Sequence, residues 1–273
     1  VEPLWIATYR LQLHAGFTLP SAARVLPYLA ELGISHAYLS PCLQAAPGSQ
    51  HGYDVTDPTR ISEDLGGEAA WAQFVEAARD ARLGILLDVV PNHMSASAHN
   101  PWWDDLLTNG PFSQYADFFD LKPALHEPLR VHLCSLARAY GEALRAGEIR
   151  VDVETGRPRT IHFDNSWPMT PASWGRLLSP PDEPLCDPCF VELESLLESG
   201  INPADSDRVR YRDLVRRAEE VLATARDGGL LPAAARRING DPAALDALLA
   251  RQFYVLHGWK RAGEFTNYRR FFD

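Results

Sequence analysis

Asp88-Val89-Val90-Pro91-Asn92-His93 places a carboxylate, an amide and an imidazole within six residues, directly after an apolar run. A carboxylate accepts hydrogen bonds from hydroxyls, while an amide and an imidazole can donate to them. A second polar stretch, Gly48-Ser49-Gln50-His51-Gly52-Tyr53-Asp54-Val55-Thr56-Asp57-Pro58, lies 30 to 40 residues upstream. Its glycines and serine allow a tight turn that presents Tyr53. A tyrosine ring packs on the apolar C–H face of a pyranose, and its hydroxyl and neighbouring carboxylates can bond sugar hydroxyls. Taken singly, Tyr53 reads first as a half-buried turn residue and His93 as a satisfied core histidine. Two such loops converging on one face favour a sugar ligand.

What brings them together is the pattern of elements. Trp5–Leu13 is rich in apolar and aromatic residues and reads as a strand. Thr18 or Ser21 can cap the helix that follows, with Pro20 in its first turn and Ala22, Val25, Leu26, Leu29 and Leu32 at helical spacing. Gly33 closes it, and Pro27 inside the pattern predicts a kink or a shortened helix. Ser35–Ser40 reads as a second strand. Trp71, Phe74, Val75 and Ala78 mark a second helix, and Ile85–Val90 reads as a third strand, buried on both faces. Strand–helix–strand–helix–strand order implies right-handed crossovers and a parallel sheet. Polar side chains after its strands would lie at the carboxyl mouth of an α/β barrel, where such enzymes keep their sites.

After Met94 the alternation stops. Leu129, Leu133, Leu136, Ala137, Tyr140 and Leu144 are spaced as a helix, and Ile149, Val151 and Val153 alternate as a strand. A Glu154-Thr155-Gly156 turn lets Thr160–Phe163 pair back as a hairpin. Residues 166 to 189 read as loop. Leu214, Ala218, Val221, Leu222 and Ala225 mark another helix, and Asp241-Pro242 opens a further one as cap and first-turn proline. The expected organisation is residues 1–94 as barrel, 95–250 as an inserted, mostly helical subdomain, and 251–273 as a segment returning toward a fourth strand.

The 273 residues are 46% hydrophobic with a net charge of −10. That balance suits a globular protein and disfavours nucleic acid, for which no basic stripe is present. No apolar run nears the ~20 residues that span a bilayer, and Val1-Glu2-Pro3 shows no leader pattern, so a cytoplasmic location is expected. Cys186-Asp187-Pro188-Cys189 is a lone pair, and Cys42 and Cys134 are isolated. A tetrahedral zinc site wants more ligands, so neither a metal nor a cofactor is expected.

The Asp88–His93 segment resembles the first signature region of the α-amylase superfamily. Thr8-Tyr9-Arg10-Leu11-Gln12-Leu13, Gly48–Pro58, Asn100-Pro101-Trp102-Trp103, Asn109-Gly110-Pro111, Phe118-Phe119-Asp120 and Thr266-Asn267-Tyr268-Arg269-Arg270-Phe271-Phe272-Asp273 together resemble the maltooligosyl trehalose synthase family. Residues 165 to 240 carry little of that likeness. The resemblance implies an α/β fold, the first part of a TIM (β/α)8 barrel, with a large subdomain inserted after the third barrel strand. It implies an isomerase that moves the reducing-end α-1,4 linkage of a maltooligosaccharide to an α,α-1,1 linkage. It further implies that Asp88 orients neighbours rather than reacts. Asn92 matches a residue that some α-amylases use for calcium, but a single carbonyl oxygen falls far short of the six to eight oxygens calcium takes.

Gln12, His51, Tyr53, Asp54, Asp88, Asn92 and His93 are the expected substrate-binding residues. Trp102, Trp103 and Tyr115 would shape a far wall or lid, or pack the insertion. No catalytic residue is expected in this chain: the superfamily's Gly-x-Arg-x-Asp-His nucleophile motif and the acids after strands five and seven are absent. The expected partners are a maltooligosaccharide and the carboxyl-terminal portion of the enzyme as a second chain. An open three-stranded sheet would aggregate or stay partly unfolded alone. The alternatives are a fragment of another α-amylase-type hydrolase, or a non-catalytic α-glucan-binding module.

Overall fold

The computed structural model describes residues 4–91, 93–122, 130–180, 183–199 and 203–268. They divide into two compact units, Val1–Pro101 and Trp102–Phe271. Each has a hydrophobic core of its own.

The first unit follows the expected alternation. Strand β1 (Thr8–Leu11) leads to helix α1 (Leu19–Glu31) and strand β2 (His36–Leu39). A hairpin, β3 (Leu43–Ala45) and β4 (Val55–Ile61), precedes helix α2 (Gly67–Asp80) and strand β5 (Gly84–Leu87). The sheet order is β1-β2-β5, parallel throughout, with Leu11, Leu39 and Leu87 in register. This is the opening of a β/α barrel, not closed among the described residues. Leu19, Ala22, Leu26 and Leu29 of α1 pack with Phe74 and Ala78 of α2 over Leu11, Leu13, Ala37 and Leu39.

Three local readings change. Helix α1 runs through Pro27 to Glu31 without shortening. Pro27 is exposed while Leu26 and Leu29 are fully buried, so the packed face outweighs the missing N–H. The stretch after β2 is no simple turn, since Leu43–Ala45 pairs antiparallel with Val55–Ile61 around it. Strand β5 stops at Leu87 and is not buried on both faces. Leu87 is 40% exposed where its register neighbour Leu39 is 0%, because α1 and α2 cover the middle of the sheet and not its edge.

The second unit contains helix α3 (Pro101–Asn109), strand β6 (Val131–Leu136), helix α4 (Tyr140–Arg145) and strands β7 (Ile149–Asp152), β8 (Arg159–His162) and β9 (Asn165–Pro168). Helices α5 (Pro171–Leu178), α6 (Pro188–Ser199), α7 (Asp205–Asp227), α8 (Leu230–Asn239) and α9 (Pro242–Leu249) follow, then strand β10 (Tyr254–Gly258) and helix α10 (Ala262–Phe265). The β7–β8 hairpin lies where alternation placed it, and β9 extends it. Asp241 caps α9, its carboxylate accepting from the N–H groups of Ala243 and Ala244.

The helix expected from Leu129 to Leu144 is instead a strand, then a short helix. Leu129 itself lies outside the described residues. Val131–Leu136 pairs parallel with Tyr254–Gly258, more than 100 residues away, and that pairing decides the conformation. The loop expected over 166–189 holds β9 and α5. Pro171 begins α5 after Thr170 rather than breaking it, and the helix is almost wholly buried. Asn267, from the family-like terminal motif, accepts from His132 N–H and donates to the Arg130 carbonyl. Tyr268 meets the Trp103 ring edge-on at 5.2 Å. Among the described residues, no helix is long and apolar enough to cross a membrane.

Candidate functional site

Polar side chains lie at the carboxyl ends of the first unit's parallel strands, where barrel enzymes keep their sites: Arg10 near the end of β1, Gln12 just past it and Asp88 just past β5. Strand alternation puts Arg10 and Gln12 on the face of β1 opposite Leu11 and Leu13, which are buried with the helices. One residue past β5, Asp88 donates its backbone N–H to the Leu39 carbonyl at 3.0 Å, so the ladder carries its carboxylate to the sheet rim. Tyr53 arrives from the loop between β3 and β4.

That loop is built to a tight geometry. Gly52 has φ +75°, and a Cβ there would meet the Pro41 carbonyl oxygen at 2.5 Å. Ser49 Oγ accepts from the Gly52 N–H and donates to the Asp54 carboxylate. His51 Nδ1 accepts from the Tyr53 N–H at 3.0 Å, and the two rings lie 5.9 Å apart. Gln12 donates to the Gln50 carbonyl at 3.2 Å, tying the loop to β1.

The centre of the site is a three-membered contact. The Tyr53 hydroxyl donates to Asp88 Oδ2 at 2.6 Å, and Arg10 Nη1 reaches the same oxygen at 2.9 Å. Arg10 Nη2 donates to the Tyr53 hydroxyl at 3.1 Å, and its guanidinium lies over the Tyr38 ring at 4.6 Å. Burial pushes the Asp88 carboxyl up, but the hydrogen bonds from Tyr53 and Arg10 outweigh it and hold it below the usual carboxylate value. The Tyr53 phenol is held above its ordinary value, chiefly because it donates to Asp88. An ionised Asp88 beside a neutral phenol follows. The tyrosine's one proton is given to Asp88, so its ring face is the part left for a ligand.

Tyr53 and Asp88 are therefore brought into direct contact, and Gln12, His51 and Asp54 shape the loop that delivers Tyr53. His93 is half-buried on the segment leaving β5, and two residues later Ser95 N–H bonds the Val55 carbonyl at 2.7 Å, laying that segment beside β4. Asn92 lies outside the described residues. Arg10 was not among the expected site residues. Its signal was the period of two on β1, which gives Arg10 and Gln12 one face. Trp103 is core packing of the second unit, while Trp102 stacks on Tyr115 at 5.0 Å with Phe118 edge-on. Cys189 is buried, which pushes its thiol up to about 12, and Cys186 is exposed. Among the described residues no three histidine, cysteine, aspartate or glutamate side chains gather as metal ligands.

The family description for the alpha amylase catalytic domain matches residues 19–139. A solved maltooligosyl trehalose synthase superposes on 99% of this chain with a TM-score of 0.66 at 28% identity, using 27% of its own length. The enzyme from Arthrobacter ramosus superposes on 97% with a TM-score of 0.64 at 29% identity, over 26% of its length. The chain is similar to the amino-terminal portion of maltooligosyl trehalose synthases, and part of it matches the alpha amylase catalytic domain. A Mycobacterium tuberculosis protein named for that synthase is 42% identical over 165 residues, which is 55% of this chain and 22% of that protein. The chain thus spans about a quarter of the length of these synthases. In the α-amylase-superfamily frame, β1, β2 and β5 are the first three barrel strands, and the Arg10–Tyr53–Asp88 contact lies at their rim.

Proposed function

We propose that this chain forms the glucan-binding side of a glucosylmutase that converts the reducing-end α-1,4 linkage of a maltooligosaccharide into an α,α-1,1 linkage. The observation that carries the reading is the likeness to maltooligosyl trehalose synthases, which extends over nearly the whole chain and so includes the second unit. The polar rim of the first unit supports it. The Tyr53 ring offers a flat face to a pyranose, and the ionised Asp88 and the imidazole of His93, five residues on in the chain, suit its hydroxyls.

The chemistry is that of a retaining glycosidase. One carboxylate attacks the anomeric carbon to give a glycosyl-enzyme, and a carboxylic acid about 5–5.5 Å away protonates the departing oxygen. In the second half the anomeric hydroxyl of the released glucose attacks the glycosyl-enzyme's anomeric carbon, giving its proton to the group that served as acid and displacing the nucleophilic carboxylate. Water must be kept out, or hydrolysis results. The Gly-x-Arg-x-Asp-His pattern that would carry the nucleophile does not occur in these 273 residues. The reacting carboxylates therefore belong to the carboxyl-terminal portion of the enzyme, and this chain binds and orients.

The test combines the chain with a polypeptide carrying that pattern and supplies maltopentaose. Reducing ends should disappear without release of glucose, giving a trehalose-ended product. Asp88→Asn should lower kcat/KM by about 10- to 100-fold, the worth of one charge-assisted hydrogen bond. Release of glucose alone would point to a hydrolase. Full-strength maltopentaose binding by the unaccompanied chain would point to a binding module.

A further inference from the structure

We propose that Arg10 is the positioning residue of this site, its guanidinium fixing the Tyr53 ring and the Asp88 carboxylate in one arrangement toward a bound glucan. The inference rests on the glucan-binding reading above and extends it to a residue that need not touch substrate. The Tyr53–Asp88 bond joins two segments 35 residues apart, and by itself one hydrogen bond leaves both side chains free to rotate about it. Arg10 closes the contact into a triangle, with one nitrogen on Asp88 Oδ2 and another on the Tyr53 hydroxyl.

Arg10 is itself held. It sits on a strand, opposite Tyr38 in the β1–β2 register, and its planar group lies over that tyrosine's ring. A guanidinium presents two donors in a fixed fork and stacks on an aromatic face; an ammonium is a single point charge that does neither in the same way. The three anchors come from β1, from the loop between β3 and β4, and from the end of β5. Loss of Arg10 frees the loop residue most, since Tyr53 stands on a hairpin excursion rather than on the parallel sheet. The charge has a second effect: it favours the ionised form of Asp88, opposing the burial that works against it.

The test uses the chain combined with its carboxyl-terminal portion, with tyrosines labelled at the ring carbon bearing oxygen. The Tyr53 signal is assigned by its loss in Tyr53→Phe, and its acid titration reports protonation of Asp88. In Arg10→Met the midpoint should move to higher pH, and kcat/KM with maltopentaose should fall about 10- to 100-fold. Arg10→Lys should keep the midpoint near that of the native protein, because the charge remains, yet still lose about tenfold, because the fork is gone. If Arg10→Met does not fold, the lysine variant decides alone: full activity there overturns the proposal. An unmoved midpoint in Arg10→Met, or a moved midpoint with activity within twofold of native, also overturns it. If the native assembly makes no trehalose-ended product, the function reading fails, and the titration still judges whether Arg10 holds the pair.

Discussion

The two units treat the covering of a β-sheet in opposite ways. In the second, β10 and β6 and the three-stranded β7–β8–β9 sheet lie with α5, α6, α7, α8 and α9 around one core that holds Trp174, Phe190, Tyr211 and Tyr254, each almost without exposure. Its polar groups are closed inward as well: Tyr254 donates to Thr160 at 2.8 Å, and Gln252 accepts from the Thr170 N–H at 2.8 Å. In the first unit the middle strand is sealed and both edges are not. Ala37 is fully buried, whereas Tyr9 and Leu87, on the strands to either side, are 46% and 40% exposed. Trp5, Ile6 and Val89 are open too. The unit that carries the polar rim is thus the one that leaves apolar sheet unsatisfied. The polar rim and the exposed sheet edges share one unit, while the other encloses its sheets around a single core.

The largest expected effect falls on the second unit's core. Trp174 is 2% exposed on α5, with its indole N–H donating to the Met169 carbonyl at 3.1 Å. Trp174→Ala removes a large ring from a core with nothing to replace it, which costs about 3–5 kcal/mol. Urea unfolding followed by circular dichroism should show the second unit's transition moving to markedly lower denaturant. A transition unmoved by this change would mean that the unit's core is not what holds it.

A smaller effect concerns acid. His257 on β10 and His132 on β6 stack at 5.1 Å, with Nε2 of one 3.0 Å from Nδ1 of the other. Phe265 stacks on His257 at 4.2 Å, and Arg261 lies over the Phe265 ring. Burial, then the neighbouring His132 and Arg261, push His257 down to about 4. A depressed folded value means that the unfolded chain binds the proton first. His257's contribution is whole above the ordinary histidine value of about 6.5 and is lost as pH falls through about 4. Thermal melts between those limits should show the second unit weakening, and His257→Gln should flatten the trend. The first unit's Asp88 gives a contrast: its contribution holds down to the usual carboxylate range, near about 3.9, and fades only below it.

How much of this was legible follows the same division. The first unit's strands are short apolar runs closed by turn residues, so their order and parallel sense could be read from local pattern. The hairpin at Ile149 and the Asp241-Pro242 helix start were legible for the same reason, each being a signal a few residues long. What failed was decided from a distance. Leu133, Leu136, Tyr140 and Leu144 fit a helical period, and only the pairing with Tyr254–Gly258 makes the first two strand residues. Residues 166 to 189 read as loop because the place of Pro171 in the first turn of α5 rests on burial of the residues after it. In the site, Tyr53 and Asp88 were legible as residue types near strand ends. Arg10 was legible only as sharing a strand face with Gln12, because a charged residue in a strand pattern carries no mark of the partner waiting two segments away.

The smallest effect expected in the chain alone is also the one that tests the comparison most directly. Leu87 ends β5 on the helix-covered side of the sheet, level with fully buried Leu39, yet stays 40% exposed. An exposed residue touching little is worth within about ±0.5 kcal/mol when changed, so Leu87→Lys should leave the melting of the unaccompanied chain almost where it was. A large loss there would mean that the edge is already covered by the chain itself. The same substitution should act strongly once the carboxyl-terminal portion is added, because a buried unpaired ammonium on an apolar contact is costly. Size-exclusion chromatography of the mixture should then show native chain in the complex and Leu87→Lys chain free. Equal assembly of both would place the completing surface elsewhere, and the open edge of the first unit would be an ordinary exposed strand.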